Sequence, residues 1–121
     1  MRVVLVGALY GATAVAAAAF GAHALEGRAI LARPELFRTA IEYQALHAVL
    51  LVAMGPLKGH VMPALLGAAA WLVALGVLVF SGSLYALAFG APSTVGMATP
   101  FGGGAIIIGW LLLAVAAARR V

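Results

Sequence analysis

Residues 63–89 read PALLGAAAWLVALGVLVFSGSLYALAF, without one Asp, Glu, Lys or Arg. A helix needs roughly 20 consecutive apolar residues to cross the hydrocarbon core of a bilayer. This stretch is longer than that, and Pro63 stands in the first turn, where a missing N–H costs a helix nothing. It predicts a transmembrane helix over about residues 62–89. Outward from it, three further stretches meet the same test or come close, at about residues 3–25, 34–57 and 100–118. Pro34 and Pro100 open two of these as Pro63 opens the first. Glu35 falls in a first turn, where the helix dipole favours a carboxylate, and Thr99 suits the N-cap of the last helix. The connections are short, and short connections force successive helices antiparallel. The fold class is therefore all-α: a single integral membrane domain over residues 1–121, folded as a four-transmembrane-helix, up-down-up-down bundle.

Composition points the same way. Hydrophobic residues make up 66% of the chain and charged residues 8%, against roughly 25% charged in a soluble domain. Such a chain cannot cover a water-facing surface. The formal net charge is +4, but the basic groups sit mostly between apolar runs, where a basic excess marks membrane orientation. There is no aromatic-interleaved basic stripe, so nucleic acid is excluded as a partner. Cysteine is absent, which removes disulfides, thiol chemistry and Cys-based metal sites.

Arg2, the apolar run after it and Ala22-His23-Ala24 imitate a cleavable signal peptide. The run exceeds the usual 7–15-residue apolar region of such peptides, so an uncleaved first helix is expected. Arg2, Lys58, Arg119 and Arg120 fall on one side of the bundle, and Arg28, Arg33 and Arg38 on the other. The positive-inside rule then places both termini in the cytoplasm. A shift of 60 residues lays Gly7 on Gly67, Phe20 on Phe80 and Thr39 on Thr99. Such matches suit a duplicated hairpin, but their density is close to what an Ala/Leu/Gly-rich composition gives by chance.

Ionisable groups inside a spanning helix are costly, and each is a functional candidate by default. The second helix holds most of them. Thr39, Tyr43 and His47 recur at i, i+4 and i+8 on one face, with Gln44 beside them. Arg38 and Glu42 form an i, i+4 pair on the adjacent face. A polar flank of a membrane helix is expected to turn toward other helices. If this helix enters the bilayer near Phe37, Glu42 lies ~7 Å deep and His47 ~15 Å deep. Antiparallel geometry brings His23, Ser81, Ser83, Tyr85, Thr99 and Gly102-Gly103-Gly104 to the same leaflet, while the other half is nearly pure Ala, Val and Leu. The candidate polar cluster is thus His23, Arg38, Thr39, Glu42, Tyr43, Gln44, His47, Ser81, Ser83, Tyr85 and Thr99, with Arg38 expected to reach Glu42.

Each member also has a structural reading. His23 suits an interfacial hydrogen bond, Arg38–Glu42 a structural ion pair, and His47 either a contact between helices or a proton relay. Ser81 and Ser83 can bond to their own helix or join two. Gly7-x-x-x-Gly11 and Ala105-x-x-x-Gly109 are small-residue packing patterns. Trp71 and Trp110 read as lipid-facing or packing aromatics. Glu42 and His47, at i and i+5, do not align for a metal, and no metal or cofactor is expected. No G-x-S-x-G, Walker, H-E-x-x-H or dinucleotide fingerprint is present, so no enzyme is expected.

Four blocks carry a resemblance: Phe20-Gly21-Ala22-His23-Ala24-Leu25, Phe37-x-Thr39-Ala40-x-x-Tyr43-Gln44-x-x-His47-Ala48, Phe80-Ser81-Gly82-Ser83-Leu84-Tyr85 and Thr99-Pro100-x-Gly102-Gly103. In this order they resemble the YgdD / transmembrane protein 256 family of small four-helix membrane proteins, a domain of unknown function. Glu42 departs from the family, where relatives often carry a neutral residue such as Gln. The resemblance implies a bacterial inner-membrane location and supplies no reaction. The expected function is that of a non-enzymatic accessory or interaction protein with a polar cluster in one leaflet. Its partners are the lipid bilayer and a second copy or another membrane protein. The alternative is a proton or small-solute translocator, which would need an oligomer to complete a polar path.

Overall fold

The computed structural model describes residues 1–22 and 30–119. Four long helices follow one another: α1 (Arg2–Phe20), α2 (Pro34–Met54), α3 (Pro63–Ala88) and α4 (Thr99–Ala118). All four are long and apolar enough to cross a bilayer, and α2 is the least hydrophobic. They pack as the expected up-down bundle. Short 3₁₀ turns at Gly55–Leu57 and Ser93–Met97 lead out of α2 and into α4. The expected end of the first helix, near Leu25, lies outside the described residues.

Prolines set three of the helix starts, each in the first turn of α2, α3 or α4. One expected cap is corrected. Thr99 is the first residue of α4, Ala98 occupies the N-cap, and no side chain caps the helix. The preceding 3₁₀ turn carries the chain into α4 already wound, and the Thr99 hydroxyl is engaged elsewhere, with Ser83.

The helices form a row folded on itself. α2 and α3 make the central pair, α1 packs on α2, and α4 packs on α3. Two close approaches fix the outer helices. A Cβ on Gly7 would lie 2.9 Å from the Ala48 carbonyl oxygen of α2, and one on Gly102 would lie 2.5 Å from the Phe80 backbone nitrogen of α3. These are the small-residue contacts by which membrane helices approach when no water drives them together. At Gly67, the position that a 60-residue shift lays on Gly7, an added Cβ would meet nothing within 4 Å.

The apolar half of the bundle holds the main core, including Leu51, Met54, Leu66, Val73, Val77 and Ile106. Large aliphatic and aromatic side chains also cover the outside, among them Leu9, Leu46, Val49, Trp71, Leu78 and Ile107. An exterior of that kind is an aggregation hazard in water and the ordinary surface of a protein solvated by lipid.

Candidate functional site

In α1, Tyr10 and Thr13 are the only side chains from Val3 to Phe20 that carry a polar group; the Thr13 hydroxyl and the Tyr10 backbone carbonyl meet Gln44 of α2, and the Tyr10 hydroxyl reaches α3. The Gln44 amide nitrogen donates to the Tyr10 carbonyl at 2.9 Å and to the Thr13 hydroxyl at 2.7 Å. Its oxygen accepts from the Tyr85 hydroxyl of α3 at 2.7 Å. Tyr10 in turn donates its own hydroxyl to the Ala74 carbonyl of α3 at 2.6 Å. Gln44 therefore joins three helices from a buried position, and the donors and acceptors fix its amide orientation.

A second group lies between α2 and α4. His47 is 2% exposed. Its Nδ1 is 2.7 Å from the Tyr43 carbonyl oxygen, and its Nε2 is 3.0 Å from the Trp110 indole nitrogen. An indole can only donate. Nε2 must therefore accept, and the ring proton resides on Nδ1, where it donates to the carbonyl. Trp110 also stands edge-on to the imidazole, at 5.8 Å and 73°.

Nearer the membrane surface, Ser81 donates to the Ala40 carbonyl at 2.9 Å. Ser83 donates to the Phe80 carbonyl at 2.9 Å, and its oxygen lies 2.6 Å from the Thr99 hydroxyl. Since the Ser83 proton goes to Phe80, Thr99 is the donor in that pair. Thr39 donates to the Glu35 carbonyl of its own helix. Among the described residues no buried side-chain polar atom lacks a hydrogen-bond partner. No three His, Asp or Glu side chains gather there as a metal site.

Gln44, His47, Ser81, Ser83, Tyr85 and Thr99 thus turn inward as the sequence predicts. Three expectations need correction. Arg38 and Glu42 form no ion pair; among the described residues the one salt bridge is Arg33–Glu35, 3.4 Å and exposed. Both Arg38 and Glu42 face outward. Tyr43 is 41% exposed and lies against Phe80, with ring centroids 4.7 Å apart. The reason is the position of the buried arc on α2, which runs through Phe37, Ala40, Gln44, His47, Ala48, Leu51 and Met54. At about 100° per residue, Glu42 points away from the centre of that arc by about 180°. His23 lies outside the described residues. Sequence reasoning also missed Tyr10 and Thr13, although their isolation in an otherwise apolar helix was a usable signal. Trp110 was read only as a packing or lipid-facing aromatic.

Beside Gln44 a lipid-facing cleft of about 560 Å³ opens between α1 and α3, with α2 as its floor. It exists because α1 and α3 touch little beyond the Tyr10–Ala74 bond. Phe20, Phe37 and Phe89 line it together with Thr13, Gln44 and Tyr85.

The family described as "Protein of unknown function (DUF423)" matches residues 17–103. The chain belongs to this family, whose members are also called UPF0382 membrane proteins. It is 43% identical over 109 residues to the UPF0382 membrane protein of Haemophilus influenzae, covering 88% of this chain and 86% of that one. Identity to YwdK of Bacillus subtilis is 36%, over 96% of this chain and 95% of that one. Identity to YgdD of Escherichia coli, called an inner membrane protein, is 33%, over 93% of this chain and 86% of that one. No solved structure matches the chain. The matched region runs from the last turn of α1 to the first turn of α4. It includes Gln44, His47, Ser81, Ser83, Tyr85 and Thr99, but not Tyr10, Thr13 or Trp110.

Proposed function

We propose that this DUF423 chain is a non-enzymatic accessory protein of the bacterial inner membrane, acting through its lipid-facing exterior, with both termini in the cytoplasm. One observation carries the reading: among the described residues, the buried polar side chains are occupied with one another and with backbone carbonyls. A catalytic or transport site keeps a donor or acceptor free for its substrate. His47 has both ring nitrogens engaged, and Gln44 uses its nitrogen and its oxygen. The interior therefore behaves as glue between helices, and what is left to interact is the outside, where Arg38 and Glu42 stand among apolar groups.

The test is reconstitution of the purified chain in vesicles with an internal pH-sensitive dye. No proton flux above that of empty vesicles is expected under an imposed gradient. Flux that His47→Leu abolishes without loss of the folded chain would establish the translocator instead. Reporter fusions at Val121 check the orientation; a cytoplasmic readout is expected, and a periplasmic one reverses the topology.

A further inference from the structure

We propose that the cleft between α1 and α3 is a binding site for a phospholipid, with one acyl chain seated along it. The chain enters from the leaflet on the side where α2 begins. This goes beyond the accessory reading above, since a lipid fills the same cleft whether or not the bundle conducts protons.

Hydrogen bonding makes the cleft a place for hydrocarbon. The polar side chains that line it are Tyr10, Thr13, Gln44, Ser81 and Tyr85. All of them donate within the bundle. Tyr10 donates to the Ala74 carbonyl, Thr13 to Leu9, Ser81 to Ala40 and Tyr85 to Gln44, while Gln44 donates to both Tyr10 and Thr13. A carbonyl or phosphate oxygen placed here would find no free side-chain donor. Water is disfavoured for the same reason, since a buried water needs about two to four polar partners. The rest of the wall is Ala, Val, Leu, Gly and Phe.

Shape selects an acyl chain as the occupant. The lining runs from Tyr10 to Phe20 on α1 and from Val77 to Phe89 on α3. At the helical rise those stretches are ~15 Å and ~18 Å long. A hydrocarbon core is about 30 Å thick, so the cleft is as deep as one leaflet. Its outer end lies at the last turns of α1 and α3 and the first turn of α2, where a lipid's headgroup begins. Its inner end is closed where the Tyr10 hydroxyl crosses to the Ala74 carbonyl of α3, 2.6 Å away. An acyl chain of one leaflet ends at that depth, whereas a long isoprenoid tail has to continue past it. The volume of about 560 Å³ falls within the roughly 300–1,000 Å³ of ordinary ligand sites. Small residues keep the middle open: a Cβ on Gly82 would meet nothing within 4 Å, and Ala16 and Ala17 line the wall opposite.

The test places the full-length chain in phosphatidylethanolamine–phosphatidylglycerol vesicles with a tracer phospholipid carrying a diazirine midway along one acyl chain. After irradiation, adducts on Ala16, Ala17 and Gly82 should exceed those on Ile107 and Leu111 several-fold. Those two α4 residues are exposed and meet bulk lipid. Gly82→Phe fills the cleft and should bring the adducts on Ala16 and Ala17 down to the Ile107 level. Gly67→Phe is the control: a Cβ there also meets nothing within 4 Å, and the residue lies outside the cleft, so cleft labelling should persist. Ala16→Phe, read at Ala17 and Gly82, blocks the cleft from the other wall if Gly82→Phe does not fold. Equal labelling of the cleft and of α4 overturns the proposal, as does cleft labelling that survives a blocking variant in the folded chain. Native mass spectrometry of the chain in mild detergent should show one retained phospholipid. A free fatty acid or an isoprenoid retained in its place also overturns the proposal.

Discussion

Trp110 of α4 donates its indole N–H to Nε2 of His47 in α2, 3.0 Å away, and so sets the imidazole tautomer at the centre of the bundle. The bond ties together two helices that share few other contacts. Trp110→Phe keeps the ring and leaves Nε2 without its donor. Stability should fall by about 1 kcal/mol, within the range for hydrogen bonds between membrane helices. Trp71→Phe is the control, since Trp71 is 62% exposed to lipid and makes no side-chain hydrogen bond among the described residues. Reversible unfolding in bicelles measures both. Nitrogen NMR of the labelled ring should show the Nδ1-protonated tautomer in the native chain.

Gln44 predicts a larger loss. Replacement by Leu strands the Tyr85 hydroxyl, and removes a donor from the Tyr10 carbonyl and the Thr13 hydroxyl, which stay bonded within α1. Leaving that hydroxyl unpaired costs roughly 1–3 kcal/mol. Tyr85→Phe removes a single bond and should cost less. In the Gln44→Leu background its effect should shrink or reverse, because the hydroxyl it deletes is already unpartnered. A double-mutant cycle on the two positions reads this directly.

At Gly102 the expected effect is steric. A methyl group there meets the Phe80 backbone, which cannot swing aside. Gly102→Ala should push α4 from α3 and destabilise by about 1–3 kcal/mol, as overpacking does. Gly104→Ala, two residues on, has no neighbour within 4 Å and should be neutral or slightly stabilising. Thermal unfolding of the two variants separates the contact from helix propensity.

Ser83 and Thr99 make a shorter test of the α3–α4 contact. Thr99→Val is nearly isosteric and removes the donor to Ser83, whose own bond to the Phe80 carbonyl survives. A loss of about 0.5–1 kcal/mol is expected, smaller than that for Gln44→Leu in the same unfolding assay.

The fold was legible because its signal is long-range and simple. Runs such as residues 63–89 exceed a bilayer's thickness, and prolines mark their starts. The inward members of the cluster were legible for a related reason: a polar group in hydrocarbon needs a partner, so Gln44, Ser81 and Ser83 had to find one. The direction in which each residue faces was harder. Thr39, Tyr43 and His47 share a stripe, but the bundle buries only the His47 end of it. Periodicity gives the stripe and not its angle to neighbouring helices. Arg38 and Glu42 are the clearest case, since their i, i+4 spacing permits an ion pair that the helix does not make. Partnerships across the bundle, such as Trp110 with His47, depend on the rotation of α4, which no local pattern encodes.

The bonds from α1 and α2 to α3 and α4 have a consequence for synthesis. Tyr10, Gln44 and His47 emerge from the ribosome early, while the groups that complete them, at Ala74, Tyr85 and Trp110, come tens of residues later. During that interval the first hairpin sits in the insertion machinery with polar groups only half satisfied, and α2 is also the least hydrophobic of the four segments. A nascent chain arrested before α3 should therefore stay beside the translocon longer than an apolar hairpin of equal length. Its release into lipid should follow the arrival of Tyr85.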